Sequence, residues 1–249
     1  MTGWRKFAVT ALGCCALSTS AATEKIRVAA ASNLVMVMEP LMRAFTAEHT
    51  QIELSVSHAA TGNLIAQIRH GAPFDVLLAA DLDYPQALIE SGHAEEQTLR
   101  TFAHGVLMLW PQPPVGQKWQ TVLAGPGLRR LAVANPDTAP YGKATKDLLT
   151  AAGLWDQIKP RVVWGENVAQ TLQFVHSGNA DFGFVAASLL SGNHDLRAGM
   201  IIELGEEALP HGAIRLGASR SPGAAKLFLD WLEGAAARII LIEHGYRVP

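Results

Sequence analysis

Short apolar runs alternate with segments whose apolar residues recur every three or four positions, and this alternation continues along most of the chain. Ile26 to Ala31 reads as a buried strand. Leu34, Val37, Met38, Leu41 and Phe45 then recur near a 3.6-residue period, which predicts a helix over Leu34 to Glu48. Pro40 lies inside that helix and predicts a bend or a first-turn irregularity. Gln51 to Ser57 alternates as a strand, and Asn63 to His70 is a short helix stopped by Gly71 and Pro73. Phe74 to Ala80 is another buried strand, followed by a helix over Tyr84 to Ser91 capped by Asp81 or Asp83. Further on, strands are expected at 105–110, 131–134, 161–164, 182–186 and 201–204. Helices are expected at 141–152 and 168–176, and over 222–244 with a break near Gly234.

Strand and helix in repeated succession imply an α/β fold with mainly parallel sheets flanked by helices. There are two such runs, with a strand at 105–110 between them and a helical tail at the end. No linker rich in Pro, Gly or Ser separates them, so two lobes joined by crossing strands are expected. The expected division is 23–104 with 213–249 as the first lobe and 105–212 as the second, the tail returning to the first.

The ends and the composition narrow the setting. Arg5 and Lys6, an apolar run from Phe7 to Leu17 and small residues up to Ala22 have the form of a secretory signal peptide over 1–22. Both cysteines, Cys14 and Cys15, fall inside it. Leu12-Gly13 before Cys14 is a poor lipoprotein signal, so an exported chain without a lipid anchor is expected. The mature chain then has no cysteine, and neither a disulfide nor a thiolate site is available. Loss of Arg5 and Lys6 takes the formal charge from −2 to about −4, the wrong sign for a nucleic-acid partner.

Two strand-to-helix junctions stand out, Ala31-Ser32-Asn33-Leu34 and Ala60-Thr61-Gly62-Asn63. Helix starts leave backbone N–H groups without partners, and these donors together with the helix dipole attract anions. Each junction also reads as an ordinary N-cap, and the residues alone leave both readings open. None of the nine histidines forms a metal-binding pattern, and no nucleophile elbow or phosphate loop appears. Gly125-Pro126-Gly127 reads as a turn. A hydrolase would need a base beside Ser32 or Thr61, and His58 is near Thr61 in sequence only. Asp75 and Asp81 flank one strand, where fixing a loop or capping a helix is the ordinary role.

Taken together, Val28 to Asn33, Ala60 to Ile68, Gly71 to Val76 with Ala79-Ala80-Asp81, Leu131 to Pro136 with Ala139 to Gly142, Glu166 to Val168, Gly178 to Val185 and the closing Gly245-Tyr246 resemble the periplasmic molybdate-binding proteins of ABC importers. The resemblance covers nearly the whole mature chain in order. It implies a two-lobed periplasmic-binding-protein fold of type II with the ligand in the cleft between lobes, no catalysis and no cofactor. It further implies a monomer that delivers molybdate, and tungstate as well, to an inner-membrane ABC permease. Matched residue by residue, the oxyanion contacts are Ser32, Asn33, Thr61, Tyr141 and Val168, the last through its backbone N–H, with no direct ligation of the metal. Two departures are visible. Thr61 stands where the family usually has serine, and Ala186 stands where some members carry a tyrosine ligand, a loss that Tyr141 compensates. A cage of roughly six or seven neutral donors is sufficient for sub-micromolar binding. The alternatives are a carrier of sulfate or another tetrahedral oxyanion, a secreted α/β serine hydrolase, and a receptor for a small organic anion. The last needs a cleft cation, and only Lys143 lies close to the motifs.

Overall fold

A computed structural model describes residues 23–191, 199–205 and 208–249. The signal-peptide reading, with Cys14 and Cys15, lies outside the described residues. Among the described residues ten strands form two five-stranded sheets. The first sheet takes β1 (Glu24–Ala31), β2 (Ile52–Ala59), β3 (Val76–Leu78), β4 (Arg100–His104) and β10 (Pro210–Arg215), in the order β2-β1-β3-β10-β4. The second takes β5 (Leu107–Trp110), β6 (Leu131–Ala134), β7 (Val162–Gly165), β8 (Phe182–Ala186) and β9 (Met200–Ile202), in the order β7-β6-β8-β5-β9. In each sheet four strands share a direction and one is reversed, β10 in the first and β5 in the second. The reversed strands are those at which the chain crosses between lobes.

The expected boundary at 212/213 needs correction. It falls inside β10, which pairs with β4 from Pro210 onward, so the chain has rejoined the first sheet three residues earlier. Two strands escaped the sequence reading, β4 and β10. Both are short and mixed, with Arg100, Thr101, His104, His211 and Arg215 interrupting any apolar run. Backbone pairing with neighbours defines them rather than a pattern of their own.

Helix α1 (Val35–Glu48) continues through Pro40 and buries Val37, Met38, Leu41 and Phe45, the stripe that its period requires. The C-terminal helices Pro222–Leu232 and Ala235–Glu243 pack against β1, β10 and α1 of the first sheet. Phe45 meets Phe228 and Trp231 edge-on at 5.1 and 5.5 Å, and the Trp231 indole donates to Glu48 at 3.1 Å. Among the described residues no helix is long and apolar enough to cross a membrane.

Asp75 belongs to this scaffold. Its side chain, 1% exposed, accepts from the Arg27 N–H at 2.8 Å, the Ser219 hydroxyl at 2.9 Å and the Arg220 N–H at 2.8 Å, joining β1, β3 and the approach to the helix that starts at Pro222. Asp75→Asn turns one acceptor into a donor that faces a donor. The expected cost is about 2 kcal/mol in unfolding free energy, read by urea titration, with the second-lobe architecture unchanged.

Candidate functional site: helix starts around one small cavity

The parallel strands of both sheets point their carboxyl ends toward the cleft between the lobes, where open α/β sheets bind ligands. The helices that follow those strands begin there. After β1 comes a 3-10 turn, Ser32–Leu34, leading into α1. After β2 comes α2 (Thr61–Arg69), after β6 comes α3 (Pro140–Ala151), and after β7 comes α4 (Val168–His176). Ala31, Ser32, Asn33, Ala60, Thr61, Ala80, Ala139, Pro140, Tyr141 and Val168 line one small cavity of about 10 Å³. All five residues singled out in the sequence are on that wall, three from the first lobe and two from the second.

The N-cap positions are decisive for the chemistry. The caps are Ala31, Ala60 and Ala139, each in extended backbone geometry and none able to accept a hydrogen bond through its side chain. Alanine is among the poorest N-caps, typically about 1 kcal/mol worse than serine or aspartate. Ser32 and Thr61 are therefore not the caps that the bland reading made them. They are the first residues of their helices, with their own N–H groups left without intrahelical partners. The fourth start differs in detail. The Asn167 carboxamide accepts from Ala169 and Gln170 at 3.0 Å each, which leaves the Val168 N–H as the donor at the cavity.

Thr61 is 1% exposed, and its hydroxyl oxygen accepts from the Ala80 N–H at 3.4 Å, so its proton is free to be donated. Tyr141 is buried, and its hydroxyl has no hydrogen-bond partner among the described residues. A Cβ placed on Gly105 would lie 2.1 Å from that hydroxyl, so the ring's end is packed against the crossing between lobes. Burial, with Tyr246 nearby, pushes the Tyr141 phenol well above its usual range and keeps it neutral.

Asn33 holds a part that the sequence did not show. Its carboxamide turns inward, donating to the Tyr246 hydroxyl at 2.9 Å and to His211 Nε2 at 2.7 Å. The Asn33 main-chain carbonyl accepts from the Ser188 and Tyr246 hydroxyls at 2.8 and 3.0 Å. His211 and Ser188 carried no sequence signal beyond residue type, since nothing local marks a histidine in a strand as buried. Tyr246 was visible only as part of the closing Gly245-Tyr246.

Among the described residues no Lys, Arg, Asp or Glu is on the cavity wall. Lys143 is exposed and pairs with Asp147 at 3.2 Å. Asp81, beyond Ala80, accepts from the Tyr84 N–H at 3.2 Å and is pushed up to about 6 by burial, with Asp83 adding to the shift. Neither hydroxyl has a histidine partner: His58 is exposed on β2, and His211 Nε2 is committed to Asn33. Asp75 and Asp81 lie at opposite ends of β3 and share no cleft. Among the described residues no three His, Cys, Asp or Glu side chains group as a metal site.

Across the cleft mouth the lobes touch at three places. The Gly62 N–H donates to the Thr138 carbonyl at 2.9 Å, the Tyr84 hydroxyl to the Asp137 carbonyl at 3.1 Å, and the Asn63 carboxamide to Glu166 at 3.1 Å.

Burial depresses His211 to about 4 from an ordinary 6.5, against the Leu209 carbonyl, which favours the charged form, and with His104 adding to the depression. The neutral ring stabilises the fold above pH 6.5, and that contribution is lost as pH falls through 4. Asp81 works in the opposite sense: its raised value stabilises below its ordinary 3.8 and is lost as pH rises through about 6. The stability advantage of wild type over His211→Gln, from urea unfolding, is therefore expected to shrink by up to about 3 kcal/mol between pH 6.5 and 4. An advantage independent of pH would contradict a buried neutral ring.

Comparison with known proteins agrees with this architecture. Residues 26–247 match the family model described as bacterial extracellular solute-binding protein. The chain is 34% identical to the molybdate-binding protein ModA of Azotobacter vinelandii over 242 residues, 96% of each chain. It is 30% identical to the ModA of Rhodobacter capsulatus over 230 residues, 92% of this chain and 91% of that one. The solved periplasmic molybdate-binding protein of A. vinelandii superposes with a TM-score of 0.83 at 31% identity, over 90% of this chain and 99% of that one. These relatives are solute-binding proteins and not enzymes, which removes the hydrolase alternative. A two-lobed α/β chain with a small uncharged cavity walled by helix starts is thus a solute receptor rather than a catalyst, and it belongs to the bacterial extracellular solute-binding protein family.

Proposed function

We propose that the chain binds molybdate, and tungstate equally by shape, in the periplasm, and delivers it as a monomer to the permease of an ABC importer. The observation that carries this reading is the set of helix starts with alanine caps around one cavity. Donors left uncapped at a stability cost of about 1 kcal/mol each suit an anion that completes them on binding. Ser32 and Thr61 contribute hydroxyl and backbone donors, and Asn33, Tyr141 and Val168 contribute backbone N–H groups. The relatives named for molybdate support the choice of ligand. A cavity of about 10 Å³ is far below the roughly 300–1,000 Å³ of pockets for organic ligands, which disfavours an organic anion. The wall has no carboxylate to accept the proton of hydrogen phosphate, which disfavours phosphate.

Isothermal titration of the mature protein with molybdate, tungstate, sulfate and phosphate tests the proposal. Sub-micromolar binding of the first two is expected, with sulfate about a hundredfold weaker or more. Silence with molybdate together with heat from sulfate would move the assignment to the sulfate carrier. Thr61→Val, which keeps the shape and removes the hydroxyl, is expected to weaken molybdate about tenfold or more, whereas Thr61→Ser retains it.

A further inference from the structure

Behind the cavity, segments far apart in sequence converge on Asn33. His211 and Tyr246 take its carboxamide, and Ser188 and Tyr246 donate to its main-chain carbonyl. His211 is completely buried, and its Nδ1 lies 2.8 Å from the Leu209 carbonyl. A carbonyl only accepts, so Nδ1 carries the proton. A neutral ring then presents a bare Nε2, which only an N–H can satisfy, and this fixes the Asn33 carboxamide with its nitrogen toward the histidine. The Leu209 carbonyl also accepts from the Gly105 N–H at 2.9 Å, where the two crossing segments meet. Leu209 holds φ at 53°, a left-handed conformation uncommon for a bulky residue. One continuous chain of hydrogen bonds therefore runs from the crossing between lobes, through His211, to the first turn of the cavity wall.

We propose that His211 is a positioning residue for the anion site, holding the Asn33 carboxamide so that the Ser32–Leu34 turn keeps its backbone N–H groups aimed into the cavity. The role rests on the oxyanion reading of that cavity. His211 touches no ligand and does not line the cavity. What it supplies is an acceptor for Asn33 and a donor for Leu209 on one rigid ring. Tyr246 supplies the second hold on Asn33 and brings the C-terminal tail into the same lock. The turn is short and its cap, Ala31, gives no side-chain support, so its orientation depends on these contacts from outside. Ser188, from the second lobe, joins the lock only when the lobes sit as they do here.

The two ring nitrogens are separable by substitution. His211→Gln places a carboxamide oxygen near the position of Nε2 and keeps an acceptor for Asn33. His211→Asn reaches only the Nδ1 position, keeping the Leu209 link and abandoning Asn33. In the ligand-free mature protein, backbone amide NMR shifts of Ser32 to Leu34 are expected to move in His211→Asn and to stay close to wild type in His211→Gln. Molybdate titration is expected to follow, with His211→Asn weakened on the order of tenfold, one hydrogen bond's worth, and His211→Gln within about twofold. Tyr246→Phe, which keeps the ring, is expected to behave as His211→Asn does and serves if a histidine variant fails to fold. Equal effects of Gln and Asn on amides and affinity would reduce His211 to a packing role and overturn the proposal, as would no effect from either. Should wild type itself ignore molybdate and the other oxyanions, the functional reading fails separately, and the ligand-free amide shifts still decide the positioning.

Discussion

Ala139→Asp is expected to abolish oxyanion binding while leaving the free protein as stable as before or more so. Ala139 already has the extended backbone of an N-cap, φ −118° and ψ 119°, and Pro140 follows at the first helical position. An aspartate there would accept from the backbone N–H groups at the second and third positions, those of Tyr141 and Gly142. The helix gains a cap worth about 0.5–2 kcal/mol, less the cost of burying the carboxylate. The ligand loses a charge-assisted donor worth about 1.5–3 kcal/mol and meets a like charge at contact, so affinity falls by at least about a hundredfold. Ala139→Asn occupies the same donors without the charge and should fall between the two. Calorimetry with molybdate, beside thermal unfolding of the free protein, reads both halves. Binding by the aspartate variant within tenfold of wild type would remove this helix start from the site.

Gly62→Val separates folding from closure. Gly62 lies in the first turn of α2, and its N–H meets the Thr138 carbonyl of the opposite lobe at 2.9 Å. A Cβ there would stand 2.8 Å from the Tyr84 hydroxyl, 3.0 Å from the Thr138 Cα and 3.1 Å from its carbonyl oxygen. The tyrosine end can swing aside, but the backbone of the other lobe yields only if the lobes part. Overpacking of this kind costs about 1–3 kcal/mol, and here it falls on the closed arrangement alone. Molybdate affinity should drop about five- to a hundredfold, mostly through faster release, with Gly62→Ala at the mild end. The ligand-free protein should unfold at the same temperature or higher, because a side chain in a helix lowers the entropy lost on folding. A matched loss of stability and affinity would show instead that the residue serves the packing of the first lobe.

Much of the architecture was legible before any coordinates. Leu131 to Ala134, Phe182 to Ala186 and Val168 to His176 occupy the spans read from periodicity, and the helical tail breaks at Gly234 as expected. Such elements bury a whole face, so their local pattern and their tertiary surroundings impose the same demand. β4 and β10 were not legible because each is completed by a partner far along the chain. The run at Phe74 to Ala80 was read too long. Only Val76–Leu78 is full strand; the Asp75 and Ala79 N–H groups still donate to the Arg27 and Gly212 carbonyls, and the flanking side chains serve the Asp75 anchor and the turn toward Asp81.

At the cavity the division is equally physical. Sequence by itself marked the strand-to-helix junctions at Ser32-Asn33 and Thr61, since such junctions are local events, and the family resemblance added Tyr141 and Val168. Tertiary structure alone decided that these starts face one another, that alanines rather than Ser32 or Thr61 occupy the caps, and that the Asn33 side chain turns away from the cavity. It alone decided that His211, Tyr246 and Ser188 meet behind it. Their separations from Asn33 are 178, 213 and 155 residues. Contacts over such distances are set by how two sheets pack and cross, and no local pattern of apolar and polar residues encodes them.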